Sequence, residues 1–131
     1  MKFSYRILPE QKLNIVRFSG SISVADITDN VQHLWADARY NPAYNGIVDL
    51  QGVTTRAKVE DLKALLDFLE SRKSSFGWWA AILTEPKPTA LALIFKATFA
   101  GSFKLEIVSS WDAACKFLQI ELPESVATGR S

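Results

Sequence analysis

The chain has 131 residues, of which 48% are hydrophobic and 22% charged, and these values predict one globular domain with a real core. Fifteen Lys and Arg residues against fourteen Asp and Glu residues give a net charge of +1, so the charge does not predict nucleic acid or an acidic membrane as partner. Cys115 is the only cysteine, which excludes an intramolecular disulfide. The N-terminus lacks an apolar signal-peptide core, and no apolar run is long enough for a membrane span, so we predict a cytoplasmic protein.

The first part of the chain predicts a hairpin followed by a helix. Two β-prone runs, 3–8 and 13–18, are separated by a proline and three polar residues. Ser23 stands three residues before Asp26, which predicts a capping box at the start of the first helix. That helix should end before Pro42, because proline disfavours helical backbone for the residue ahead of it.

The segment 46–56 contains the central strand and the turn that follows it. A short apolar strand ends at Asp49, and a glycine turn and two threonines precede the second helix. The helix has an apolar stripe that we expect to be buried: Val59, Leu62, Leu65, Leu66 and Leu69. We also expect Val48 and Leu50 to be buried, and Lys63, Asp67 and Glu70 to be exposed.

The second half of the chain continues the alternation of strands and helices. The run 78–83 has no polar alternation and predicts a strand buried on both faces. The run 84–89 contains two prolines and predicts a stiff loop, after which an apolar third helix should extend to Gly101. A fifth strand at 103–108 and a last helix capped by Ser109 complete the pattern.

The predicted order is β-β-α-β-α-β-α-β-α. It indicates a single α/β domain with a mixed, mostly parallel five-stranded sheet and about four helices. We place this domain at 1–122 and predict that the tail, 123–131, is disordered.

This order, together with Asp49-Leu50-Gln51-Gly52-Val53 at the end of the central strand, resembles the STAS-like proteins, named for sulfate transporters and anti-sigma factor antagonists. The chain most resembles their small stand-alone bacterial relatives, several of uncharacterised function, whose fold is also similar to lipid-transfer domains. The segment 110–118 is similar to their closing helix. In the antagonists the loop after this strand carries a serine that a partner kinase phosphorylates, whereas this chain has Arg56-Ala57-Lys58-Val59 there. The resemblance therefore does not imply the phosphorylation switch.

One candidate site is a protein-interaction loop. Its residues are Asp49, Gly52, Thr54, Thr55, Arg56 and Lys58. Each polar residue also has a structural interpretation: Asp49 could accept turn N–H groups, and the threonines could cap the second helix instead of accepting phosphate. Arg56 and Lys58 could hold an anion at the helix start or remain solvated.

A second candidate site is an apolar surface for a ligand or for a second copy of the chain. Its residues are Trp78, Trp79, Leu91, Phe95 and Phe99. The alternative is a filled core, and we expect that alternative, without a cavity of about 300 Å³ or more.

No residues are spaced for catalysis. His33 is the only histidine, Cys115 lies on an apolar helix face, and no nucleophile–base pair, metal-ligand cluster or cofactor motif is present in the sequence. We therefore expect a non-enzymatic STAS-like module that interacts with a protein partner or has a regulatory role. The alternative is a carrier or sensor of an apolar small molecule or lipid, and a homodimer is compatible with both.

Overall fold

The computed structural model describes residues 1–72, 76–98 and 103–127. Its strands are β1 (Lys2–Leu8), β2 (Leu13–Ser19), β3 (Asn45–Leu50), β4 (Trp79–Leu83) and β5 (Leu105–Val108). Its α-helices are α1 (Val24–Ala36), α2 (Leu62–Glu70), α3 (Pro86–Thr98), α4 (Trp111–Leu118) and the short α5 (Glu124–Ala127). Within these ranges, no helix has the length and apolarity that crossing a bilayer requires.

The five strands form one sheet in the order β1-β2-β3-β4-β5. β1 is antiparallel to β2, and the other three pairings are parallel. The predicted α/β domain with a mixed, mostly parallel five-stranded sheet is therefore confirmed. Because consecutive parallel strands are neighbours, right-handed connections place α1, α2 and α3 on the same side of the sheet.

The two faces of the sheet carry different parts of the core. The front face, which includes Val16 and Phe18, packs against Leu34 and Trp35 of α1. The back face, which includes Ile15, Ile47 and Ile82, packs against Trp111, Ala114, Cys115 and Leu118 of α4. Since successive residues of a strand point to opposite faces, each of the strands β1 to β4 contributes to both clusters.

The first helix begins as predicted. The Ser23 hydroxyl accepts a hydrogen bond from the Asp26 amide at 3.0 Å, and the Asp26 carboxylate accepts one from the Ser23 amide at 2.9 Å. This reciprocal capping box satisfies two N–H groups that have no partner within the helix.

The predicted loop at 84–89 is wrong, because α3 already begins at Pro86. Proline is accepted in the first turn of a helix, where its missing N–H would have no intrahelical partner. Thr89 completes the first turn, and its amide donates to the Glu85 carbonyl at 3.1 Å. The predicted end of α3 at Gly101 lies outside the described residues.

Three further predictions need correction. Val59 is 53% exposed because it belongs to a 3-10 turn ahead of α2 and not to the buried stripe of that helix. The cap of α4 is Ser110, whose hydroxyl accepts from the Ala113 amide at 3.1 Å, and not Ser109. The tail predicted to be disordered from position 123 begins with the helical turn α5.

Exposure elsewhere agrees with the predicted helix stripe. Leu62 and Leu66 of α2 are buried, whereas Lys63, Asp67 and Glu70 are exposed. Val48 and Leu50 of β3 are only half-buried, although we expected them to be buried. Their front-face position explains this difference, since both side chains border an open space.

Candidate functional site

An apolar cavity of about 250 Å³ lies between the front face of the sheet and the layer formed by α1, α2 and α3. From the sheet it is lined by Val48, Leu50, Trp79, Ala81, Leu83 and Ile107. From the helices it is lined by Val31, Leu65, Leu69, Leu91, Ala92 and Phe95. This volume is below the roughly 300 Å³ that we set as the lower limit for a ligand site, so it does not contradict the expected packed interior, but the space shows that the core is not completely filled.

The cavity exists because the front-face core is divided. One buried cluster joins α1 to β2 and includes Phe18, Leu34 and Trp35. A separate small cluster joins α2 to α3 and contains Leu62, Leu66 and Phe95.

Two alanines add to the space between these clusters. Ala81 on β4 and Ala92 on α3 each contribute only a methyl group to the lining. We did not identify these alanines from the sequence. The one signal available was small residues within runs of large apolar residues.

The hydroxyl groups at one end of the cavity already have partners. Ser23 caps α1 through the Asp26 amide. The Thr55 hydroxyl donates to the Ile22 carbonyl at 2.6 Å and accepts from the Ala57 amide at 3.0 Å. These bonds join the segment after β3 to the start of α1, so Thr55 fixes the wall of the cavity at this end.

Lys104 is the only lysine, arginine, aspartate, glutamate or histidine in the described lining. Its side chain is exposed, and its ammonium lies over the Trp78 ring, 5.4 Å from the centroid. Trp78 does not line the cavity. The ammonium of Lys104 therefore makes a cation–π contact with a ring that lies outside the cavity.

A series of aromatic contacts forms the wall near the amino ends of the parallel strands. Ring centroids are separated by 4.7 Å for Phe68 and Trp35, 6.4 Å for Trp35 and Phe76, 5.9 Å for Phe76 and Phe103, and 6.2 Å for Phe103 and Phe95. All of these residues except Phe68 line the cavity. Such contacts are favourable beyond their buried area, so they stabilise this wall of the cavity.

The structure brings together only part of the predicted apolar site. Trp79, Leu91 and Phe95 line the cavity. Trp78 does not, because it is 50% exposed and meets Phe117 of α4 edge-to-face, with the centroids 5.8 Å apart. Adjacent residues of an extended segment point to opposite faces, and this separates the two indoles. Phe99 lies outside the described residues.

Asp49 does not lie on the surface of the predicted interaction loop. It is 3% exposed, and its Oδ2 accepts from Arg17 Nε at 2.8 Å and contacts Arg17 Nη2 at 2.7 Å. Its Oδ1 accepts from the Gln51 amide at 3.0 Å, which confirms the structural interpretation of this residue. Arg17 also contacts Glu124 Oε2 at 2.8 Å, so the pair ties α5 to the sheet.

The rest of the predicted loop is a mixture of exposed and structural residues. Gly52 has a φ of +73°, and its amide donates to the Thr84 hydroxyl at 2.8 Å. Thr54 is exposed and pairs with Ser21 in an isolated parallel bridge. Arg56 is exposed. The Thr54–Ser21 bridge and the Gly52–Thr84 hydrogen bond therefore connect this loop to the segments that follow β2 and β4.

Neither threonine caps the second helix. The turn ahead of α2 begins after Lys58, whose amide donates to the Asp61 carboxylate at 2.8 Å. The predicted cap is therefore wrong, since three residues separate Thr55 from that turn. Lys58 is exposed.

Burial shifts the pKa of two titratable groups outside the cavity. Burial raises the pKa of the Tyr40 phenol to about 12 and raises the pKa of the Cys115 thiol. Cys115 is 8% exposed on the back face, as expected for a core residue. His33 is exposed on α1. In the part of the chain that the structure describes, no group of three or more His, Cys, Asp and Glu residues is placed to hold a metal ion.

Comparison with known protein families finds no match for this chain, and no curated protein matches it.

Proposed function

We propose that the protein binds a small apolar molecule in the front-face cavity and does not act as an enzyme. The observation that supports this proposal is the cavity itself, about 250 Å³ with an apolar lining. Dry apolar cavities of about 150 Å³ bind benzene or xenon, so a larger one is sufficient for a small ligand. A carrier or sensor of an apolar molecule is therefore the function that the geometry favours.

The STAS-like identity is part of the proposal. The sheet order, the single antiparallel pairing at its edge and the Asp49–Val53 segment after β3 support it. Under this proposal the protein is a cytoplasmic member that lacks the serine phosphorylation switch. Its ligand site would lie under the three front-face helices, next to the loop that holds the switch in the antagonists.

Binding without catalysis is supported by the position of the reactive side chains. Cys115 lies on the back face of the sheet, and His33 is exposed on α1 without being part of the lining. The two hydroxyls of the described lining, Ser23 and Thr55, already make hydrogen bonds with the backbone. A nucleophile requires a neighbouring base, and neither hydroxyl is bonded to one.

Native mass spectrometry of the protein purified under mild conditions tests the proposal. We expect the wild type to carry a small molecule that acid or organic solvent releases. Ala92→Leu should reduce this occupancy, because the added carbon atoms enter the cavity. Ala97→Leu is the matched control on the same helix, because Ala97 is exposed and does not line the cavity.

The result that contradicts the proposal is the absence of any adduct in all three proteins, together with no uptake of added apolar compounds. Equal occupancy of the wild type and Ala92→Leu would place the ligand elsewhere. Circular dichroism spectra of the variants establish that a loss of ligand is not a loss of fold.

A protein-binding role is the second candidate, and the outer face of α3 favours it. Leu93 is 51% exposed and Ile94 is 39% exposed, on a helix whose inner residues line the cavity. Neighbouring exposed apolar residues are a common feature of interaction surfaces. If this face joins two copies of the chain, light scattering should show a dimer that Leu93→Glu dissociates. A dimer that persists in Leu93→Glu would contradict this interface.

A further inference from the structure

The described lining of the cavity is almost entirely apolar, and its hydroxyl side chains, Ser23 and Thr55, already make hydrogen bonds. Among the described residues, the only buried side-chain N or O atom without a hydrogen-bond partner is Asn14 Oδ1. Asn14 is not a lining residue, and its amide nitrogen donates to the Asn41 carbonyl at 3.2 Å. No fully buried side-chain N or O atom of the described lining therefore requires a hydrogen bond from the ligand.

Nor does the described lining place a charged group inside the cavity. Lys104 is the only charged residue in the described lining, and its ammonium lies over the Trp78 ring, outside the cavity. A carboxylate or phosphate placed inside would lose its hydration without gaining a charged partner. Burying an unpaired ion is strongly unfavourable, so this site should discriminate against anionic ligands, including fatty acids.

Size and wall chemistry limit the ligand further. A cavity of about 150 Å³ accommodates the six carbons of benzene, so 250 Å³ corresponds by proportion to roughly ten carbons. Rings of Trp35, Phe76, Trp79, Phe95 and Phe103 surround the space. Aromatic rings pack well against one another in offset and edge-to-face arrangements, so such walls fit a compact ring system.

We infer that the cavity selects an uncharged, compact molecule of roughly ten carbons, with at least one ring, that it binds by shape and without an obligatory hydrogen bond. This inference rests on the proposed function and specifies its ligand class. The selection comes from two features together: aromatic walls that favour rings, and a described lining that is almost entirely apolar and places no charged group inside the cavity.

Binding of naphthalene and of 2-naphthoate at pH 7 tests the inference, because the two compounds share the ring system and differ by one carboxylate. The readouts are tryptophan fluorescence and the thermal unfolding midpoint. We expect naphthalene to bind and to raise the midpoint, and 2-naphthoate to bind at least about a hundredfold more weakly. Ala92→Leu should weaken naphthalene binding, whereas Ala97→Leu should not.

The possible outcomes separate the inference from the proposed function. Equal or tighter binding of 2-naphthoate would overturn the inference, while binding that Ala92→Leu abolishes would still support a ligand cavity. Binding of neither compound, together with no adduct in native mass spectrometry, would overturn both. Tight binding of decanoate and not of naphthalene would also overturn the inference, because an anionic chain would then be the preferred ligand.

Discussion

The indole of Trp79 covers the α carbon of Gly46, its partner across the β3–β4 pairing. A β carbon at position 46 would overlap the six-membered part of that indole. The glycine therefore allows the Trp79 ring to lie flat on β3 while it borders the cavity. One residue without a side chain thus positions part of the cavity wall.

Gly46→Ala should destabilise the protein by about 1–3 kcal/mol, because the added methyl forces the Trp79 ring out of its position. Urea unfolding measures this change in the free energy of unfolding. In a Trp79→Leu background the same substitution should cost clearly less, since the overlapping ring is gone. An equal cost in both backgrounds would show that the glycine is required for another reason.

Arg17→Met should destabilise the protein by about 3 kcal/mol, because it leaves the buried Asp49 carboxylate without its cation. Glu124→Gln is the comparison variant, and it should change the free energy of unfolding by less than about 1 kcal/mol, since the Glu124 side chain is 44% exposed. Urea unfolding of both variants shows which substitution lowers the free energy of unfolding more. A larger loss for Glu124→Gln would mean that the contact with α5, and not the pair with Asp49, is the important one.

Stability should fall at high pH through Tyr40. Burial raises the pKa of this phenol from 10.0 to about 12, so the folded state keeps a proton that the unfolded chain releases. The contribution of Tyr40 is therefore fully present below pH 10 and is lost as the pH rises towards 12. Tyr40→Phe should have a flatter decline in the free energy of unfolding over this interval. Parallel declines in the wild type and the variant would contradict the assignment to Tyr40.

The order of elements and the orientation of the strands could be predicted from the sequence. Alternating apolar residues predicted the edge strand β1, and the spacing of Leu62 and Leu66 predicted the inner face of α2. These patterns depend on local periodicity, which is 2 for strands and 3.6 for helices. Such signals do not require knowledge of which helices meet.

The cavity could not be predicted, because it depends on the distance between packed elements. Ala81 and Ala92 are ordinary residues for a strand and a helix, and only their common position in the lining gives them significance. The predicted starts of α2 and α3 were wrong for a related reason. Proline is compatible with both a loop and a first helical turn, and Thr55 is capable of stabilising either a cap or a loop.

The central claim is that the space under the front-face helices accepts an apolar molecule, and methyl NMR under xenon pressure tests it most directly. Xenon enters dry apolar cavities and needs no hydrogen bond. The methyl groups of Leu83 and Leu91, which line the cavity, should shift with xenon pressure and saturate. Those of Ile15 and Leu118, in the back-face core, should not. Shifts confined to the back face, or no saturable shift at Leu83 and Leu91, would contradict the account.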